Sequence, residues 1–184
     1  MAANAEALVD TIKEWVGSLR EDVATCKAVV EAEAADPAAR RFAATALNYL
    51  VTRLDLIPDH EPAIGAIDDA MAIRVCMRLA SDHDLDKGLG ADVLVEAMRL
   101  ANEAERLDEL LGEELAAAFR KHVERMSDDA VRGRTPEQIV EDAGARARLF
   151  EEVEADLLRM PPAAFGDAAD VARQLTSYLK MKLS

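Results

Sequence analysis

The stretch from Leu47 to Asp69 reads LNYLVTRLDLIPDHEPAIGAIDD, and it limits the fold more than any other part of the chain. Pro58 disfavours α-geometry at Ile57, so the helical pattern before it must stop near Asp55 to Ile57. Pro58 and Pro62 hold a short connector, and Gly65 permits a bend or a close approach. Before the break, Phe42, Ala46, Leu47, Leu50 and Leu54 recur at helical spacing over about 37–54. After it, Ile64, Ile67, Met71, Val75 and Leu79 do the same over about 64–81. This is a helical hairpin. Its elbow carries Asp55, Asp59, His60, Glu61, Asp68 and Asp69.

The remainder of the chain is also patterned for helix. Leu8, Ile12, Trp15, Leu19, Val23, Cys26 and Val30 form one stripe, which predicts a long N-terminal helix within residues 1–35. Such a stripe serves either the chain's own core or pairing with a second copy. Asp36-Pro37 ends that element and starts the hairpin of residues 37–81, because Pro suits the first helical position after an Asp cap. Residues 89–184 hold the C-terminal helices: one from about Asp92 to Met126 with a break near Gly112, one from about Pro136 to Met160, and one from about Asp167 to Leu183. Thr135-Pro136-Glu137-Gln138 has the form of a capping box, and Pro161-Pro162 stops the helix it opens. Period-2 runs of Val, Ile, Thr and Tyr are absent. The expected fold is therefore all-α, a bundle of six or seven helices in one domain spanning 1–184, with a split near Gly88 into two helical lobes as the alternative.

At 184 residues the chain is long enough to bury a core without disulfide or metal. Cys26 and Cys76 lack CxxC spacing and read as small buried hydrophobes in a reducing compartment. The formal charge of −14 argues against nucleic acid and anionic lipid surfaces, which attract Lys and Arg clusters, and suits a basic partner or divalent cations. No basic and apolar leader pattern opens the sequence. The longest uncharged run, Phe42 to Thr52, falls short of the roughly 20 residues of a spanning helix. A cytoplasmic protein is expected.

Hard cations such as Mg²⁺, Mn²⁺ or Ca²⁺ need several carboxylate oxygens converging from more than one segment, and the elbow could supply them through Asp55, Asp59, Asp68 and Asp69. Neighbouring positions on a helix differ by about 100°, so at most one of Asp68 and Asp69 shares a site with Asp55 or Asp59. The plainer account is that these carboxylates cap turns and a helix N-terminus, with Arg40, Arg41 or Arg53 neutralising them. Asp82-His83-Asp84-Leu85-Asp86 resembles the start of an EF-hand, but Lys87 stands at position six and Val93 at position twelve, where the loop needs Gly and a bidentate Glu. Gly88-Leu89-Gly90 precedes a helix without the strand or third glycine of a nucleotide fingerprint. His60, His83 and His122 are scattered, and no local spacing forms a catalytic group.

Tyr49, Asp55-Leu56-Ile57-Pro58-Asp59, Pro62, Gly65 and Asp68-Asp69 together resemble the YkvA-like domain, a mostly bacterial domain of unknown function. The resemblance spans about residues 41–79. It implies a shared helical hairpin with an acidic elbow and carries no activity. The family's Ser-Pro is Thr52-Arg53 here, and its apolar residues after the second Asp are His60-Glu61. Many members look membrane-associated, and these charged replacements argue against that for this chain.

The expectation is a non-enzymatic interaction or regulatory module, binding a protein partner or a second copy through its acidic surface and N-terminal helix. The alternative is a divalent-metal protein whose carboxylate-held ion could activate water for hydrolysis.

Overall fold

The structure, a computed structural model, describes residues 2–52, 56–57, 66–160 and 165–183. Over these residues the chain is all-helical: α1 (Ala2–Gly17), α2 (Leu19–Glu31), α3 (Pro37–Leu50), α4 (Ile67–Ala80), α5 (Ala91–Glu103), α6 (Leu107–Leu111), α7 (Glu113–Arg125), α8 (Pro136–Glu141), α9 (Ala143–Arg159) and α10 (Ala168–Leu183). The segments outnumber the six or seven expected because several long helical patterns are broken once inside. The N-terminal stripe divides at Ser18, and the pattern over 92–126 passes through a 3-10 turn at Ala104–Arg106 before the expected break at Gly112. The pattern over 136–160 divides at Asp142, whose extended backbone and side chain, accepting from the Ala145 N–H at 2.8 Å, start α9 afresh.

The local signals act as their chemistry requires. Asp36 caps α3, its Oδ1 accepting from the Ala38 N–H at 2.7 Å, with Pro37 at the first helical position. At Thr135 both bonds of the capping box form, Gln138 N to Thr135 Oγ1 at 3.2 Å and Thr135 N to Gln138 Oε1 at 3.0 Å.

α3 and α4 pack on each other and are surrounded by the rest. α2 and α8 lie against α3, α5 and α7 against α4, and α1 against α4 and α10. The central pair is consequently buried nearly all round: every residue of α4 from Ile67 to Met77 is buried, as is every residue from Phe42 to Val51. A helix apolar on all sides belongs inside a bundle. The α1–α2 stripe faces inward too, with Leu8, Ile12, Trp15, Leu19, Val23, Cys26 and Val30 all in the same core cluster. Its apolar side is therefore occupied within the chain. Both cysteines are free and buried, and burial pushes both thiols up, so neither is a reactive thiolate.

The loop after α4 returns to the start of α3, where the Asp36 N–H bonds the Asp84 carbonyl at 3.0 Å. Its carboxylates do not converge: Asp82 pairs with Arg78 and Asp84 with Lys87. Gly88 has φ +86°, and a Cβ there would sit 3.1 Å from the Ala34 Cβ. Gly90 has an ordinary φ and open space. Gly88 is thus a turn residue. Gly88→Ala should lower stability by about 1–3 kcal/mol through backbone strain, whereas Gly90→Ala should stay within about 0.5 kcal/mol; urea unfolding of both variants checks the contrast.

Candidate functional site

The start of α4 brings the described part of the elbow together. Asp68 is fully buried, and its Oδ2 accepts from the Tyr49 hydroxyl at 3.0 Å and from the Ile57 N–H at 3.1 Å. Tyr49 lies in the last turn of α3 and Ile57 in the connector, so one carboxylate oxygen ties α3, elbow and α4. The sequence suggested that Asp68 caps its own helix. The N-cap position is Ala66, without a side-chain bond, and Asp68 instead braces the hairpin from within. Asp69 beside it is also buried. Asp55 and Asp59, with Arg53, His60, Glu61, Pro58, Pro62 and Gly65, lie outside the described residues, as do Pro161 and Pro162. The other two arginines expected to neutralise the elbow are engaged elsewhere. Arg41 faces Asp128 at 3.7 Å, and Arg40 bonds backbone carbonyls. Among the described residues, no three His, Cys, Asp or Glu side chains are grouped as a metal would need.

Two turns further along α4 stands a feature the sequence did not reveal. Arg74 has a side chain with no exposure, surrounded by acceptors from two other helices and its own and by an aromatic ring from a third. Its Nη1 lies 3.1 Å from Asp22 Oδ2 on α2 and donates to the Ala70 carbonyl at 2.9 Å. Its Nε donates to Glu103 Oε2 on α5 at 2.8 Å. The guanidinium stacks over the Trp15 ring of α1, 4.4 Å from its centroid.

Arg99 completes the group from the solvent side, with Nη2 2.7 Å from Asp22 Oδ1 and Nη1 2.7 Å from Glu103 Oε1. Two cations thus face the two inner carboxylates, and Arg99 Nε holds a third, Glu96, at 2.8 Å on the solvent side. Burial pushes the Arg74 guanidinium down, and Asp22 and Glu103 pull it back up. Ser18, where α1 gives way to α2, joins the same network. Its Oγ is 2.9 Å from Asp22 Oδ2 and 3.4 Å from Arg74 Nη2.

A signal for Arg74 was present in the sequence. Within IDDAMAIRVCMRLA nearly every other position is apolar or small, so a charge there has no solvent face to occupy. Nothing local named its partners, which come from positions 15, 22 and 103.

The chemistry of the arrangement is that of a locked joint. Immediately outside it, Arg99 and Glu103 border a shallow groove with Leu94, Val95, Met98, Asn102 and Arg106 on the outer side of α5. Among the described residues, no helix is long and apolar enough to cross a membrane.

Residues 39–73 match a family model described as a protein of unknown function (DUF1232). The matched segment is α3, the elbow and the first half of α4, and it includes both Tyr49 and Asp68. No curated protein and no solved structure matches the chain.

Tyr49→Phe removes one hydrogen bond to a buried carboxylate and should cost about 1.5–3 kcal/mol. Denaturant unfolding of this variant, beside a change at an exposed site such as Lys121→Ala, measures that difference.

Proposed function

We propose that the chain is a YkvA-like helical protein acting as a non-enzymatic interaction module, and that the outer face of α5 docks a basic amphipathic helix of a protein partner. The observation that carries this is the exposure of Val95 and Met98, at 65% and 39%, side by side on that face. Leu94 and Asn102 extend the same shallow groove. A helix laid in such a groove anchors through apolar residues three and four apart.

The surrounding charge favours a cationic partner. Asp92 and Glu96 are exposed on the same helix. The two cations that line the groove are already engaged, Arg99 with Asp22, Glu96 and Glu103, and Arg106 with Thr11 and Glu14. With a formal charge of −14 on the whole chain, a basic segment is steered in and an acidic one repelled. The groove is also preformed, since Glu103 and Arg99 are fixed from behind by Arg74 and Asp22, and a surface that needs no ordering on binding loses less affinity.

The engagement of Asp68 by Tyr49 and Ile57 supports a structural role for the elbow. Mg²⁺, Mn²⁺ or Ca²⁺ held by Asp55, Asp59 and one of Asp68 or Asp69 is the competing account.

The test uses a designed Leu/Lys amphipathic helical peptide as probe, titrated by fluorescence anisotropy into the wild type and into Val95→Glu/Met98→Glu. Specific binding that the double substitution weakens by about tenfold or more, equivalent to about 1.4 kcal/mol, is the expected result. Absence of binding, or binding untouched by the substitutions, overturns the assignment of this face. In a parallel thermal-shift panel, a metal at a hundred times its Kd stabilises a fold by about 2.7 kcal/mol. A gain with Mg²⁺, Mn²⁺ or Ca²⁺ that Asp69→Asn abolishes would establish the metal account instead.

A further inference from the structure

The loop after α2, the start of α3 and the junction of α8 with α9 enclose a second cleft, of about 780 Å³. Its innermost charged group is Arg40, only 8% exposed. Arg40 Nε donates to the Val30 carbonyl at 2.9 Å and Nη2 reaches the Val140 carbonyl at 3.4 Å. Arg146 Nη1 donates to that same Val140 carbonyl at 3.0 Å. Two guanidinium groups therefore converge on one neutral oxygen. Among the described residues neither has a carboxylate within ion-pair distance, whereas Arg74, Arg99, Arg120, Arg132 and Arg134 all do. Arg41 lines the cleft as well, and its buried Nε has no hydrogen-bond partner among the described residues.

The chain is not short of acids, with 36 Asp and Glu against 22 Lys and Arg. Yet neither member of this like-charged pair, one of them buried, is held in an ion pair among the described residues. The carbonyls they touch lie at the C-terminal ends of α2 and α8, whose partial negative charge offsets only part of a full positive one. Burial, and after it the charge of Arg146, pushes the Arg40 guanidinium down, with Glu33 opposing. A bound anion would relieve both.

We infer that this cleft binds a small organic carboxylate, its planar head received by the Arg40 and Arg146 guanidinium groups. The two-oxygen geometry of a carboxylate matches the guanidinium fork. The exposed acids at the rim, Glu33, Glu137 and Glu141, oppose a doubly charged ligand such as phosphate more than a singly charged one. Pro37 and Ala143 on the walls offer apolar contact to an aliphatic tail. The site lies apart from the α5 groove, shares no residue with it, and stands or falls independently of the partner-docking proposal.

The arginine side-chain Nε–Hε signals, followed by NMR on the full chain, report on it directly. The titrants are acetate, butyrate, inorganic phosphate and chloride at equal ionic strength, and the variant is Arg146→Gln. Arg146 is half-buried, so its loss spares the buried Arg40 contacts, and a thermal melt checks that the variant is folded. Saturable shifts of the Arg40 and Arg146 signals with carboxylates, butyrate tighter than acetate, and a weakening of about tenfold in Arg146→Gln are expected. A carboxylate response no larger than that of chloride, or one unchanged in Arg146→Gln, overturns the site. Phosphate binding tighter than butyrate overturns the ligand class.

Discussion

The bundle depends on one buried cation. Arg74 sits in the middle of α4 with no solvent within reach, and removing a guanidinium from water costs several kcal/mol unless paired charges and hydrogen bonds replace the lost hydration. Here Asp22, Glu103, the Ala70 carbonyl and the Trp15 ring do so. Each comes from a defined turn of a different element, apart from Ala70, one turn back on α4 itself. A slip of one helix by a turn, about 5.4 Å, would strand a charge in the core. Apolar packing tolerates such slips better because it is non-directional. The charged joint thus supplies register where an alanine-rich core would leave it loosely set.

This joint and the Asp68 brace lie on the same helix and divide the work between them. Asp68 closes α4 onto α3 through Tyr49 and Ile57. Arg74 fastens the hairpin to α1, α2 and α5. The family-matched segment ends at residue 73, directly before Arg74. The family model thus covers the hairpin, while the groups that receive Arg74, at positions 15, 22 and 103, lie in helices outside the matched segment. The α5 groove lies outside the matched segment, whereas the second cleft takes Arg40 and Arg41 from α3 of the hairpin together with residues of α8 and α9. Buried charge, hairpin and α5 groove are therefore one mechanical unit: Arg99 and Glu103 face the Arg74 group on one side and border the groove on the other.

Helix class and most helix ends were legible in the sequence because their causes are local. Asp36-Pro37, the Thr135 box and the break at Gly112 involve residues within four positions of each other. The stripe from Leu8 to Val30 correctly marked an inward face. The interruption at Ser18 escaped because the stripe runs through it unbroken, and that at Asp142 because apolar spacing resumes in phase. Long-range polar contacts were not legible. Asp68 read as a cap on its own helix, since nothing nearby in sequence points to a tyrosine 19 positions upstream. Arg40 and Arg41 read as neighbours of the elbow because they lie close in sequence, yet α3 carries their side chains toward α8 and the turn before it. Arg74 carried only the sign of a charge in an almost wholly apolar helix, with its partners remote at positions 15, 22 and 103.

The central claim, that Arg74 and Asp22 act as one unit in fixing the bundle, is tested most directly by a double-mutant cycle. Asp22→Asn, Arg74→Met and the double variant would be compared with the wild type by equilibrium denaturation. Either single substitution leaves a buried charge uncompensated and should cost about 3–5 kcal/mol. The double variant should be more stable than the sum of the two losses by about 2 kcal/mol or more, within the coupling range of residues in direct contact. Additivity to within about 0.5 kcal/mol would contradict the account and leave the bundle resting on apolar packing alone.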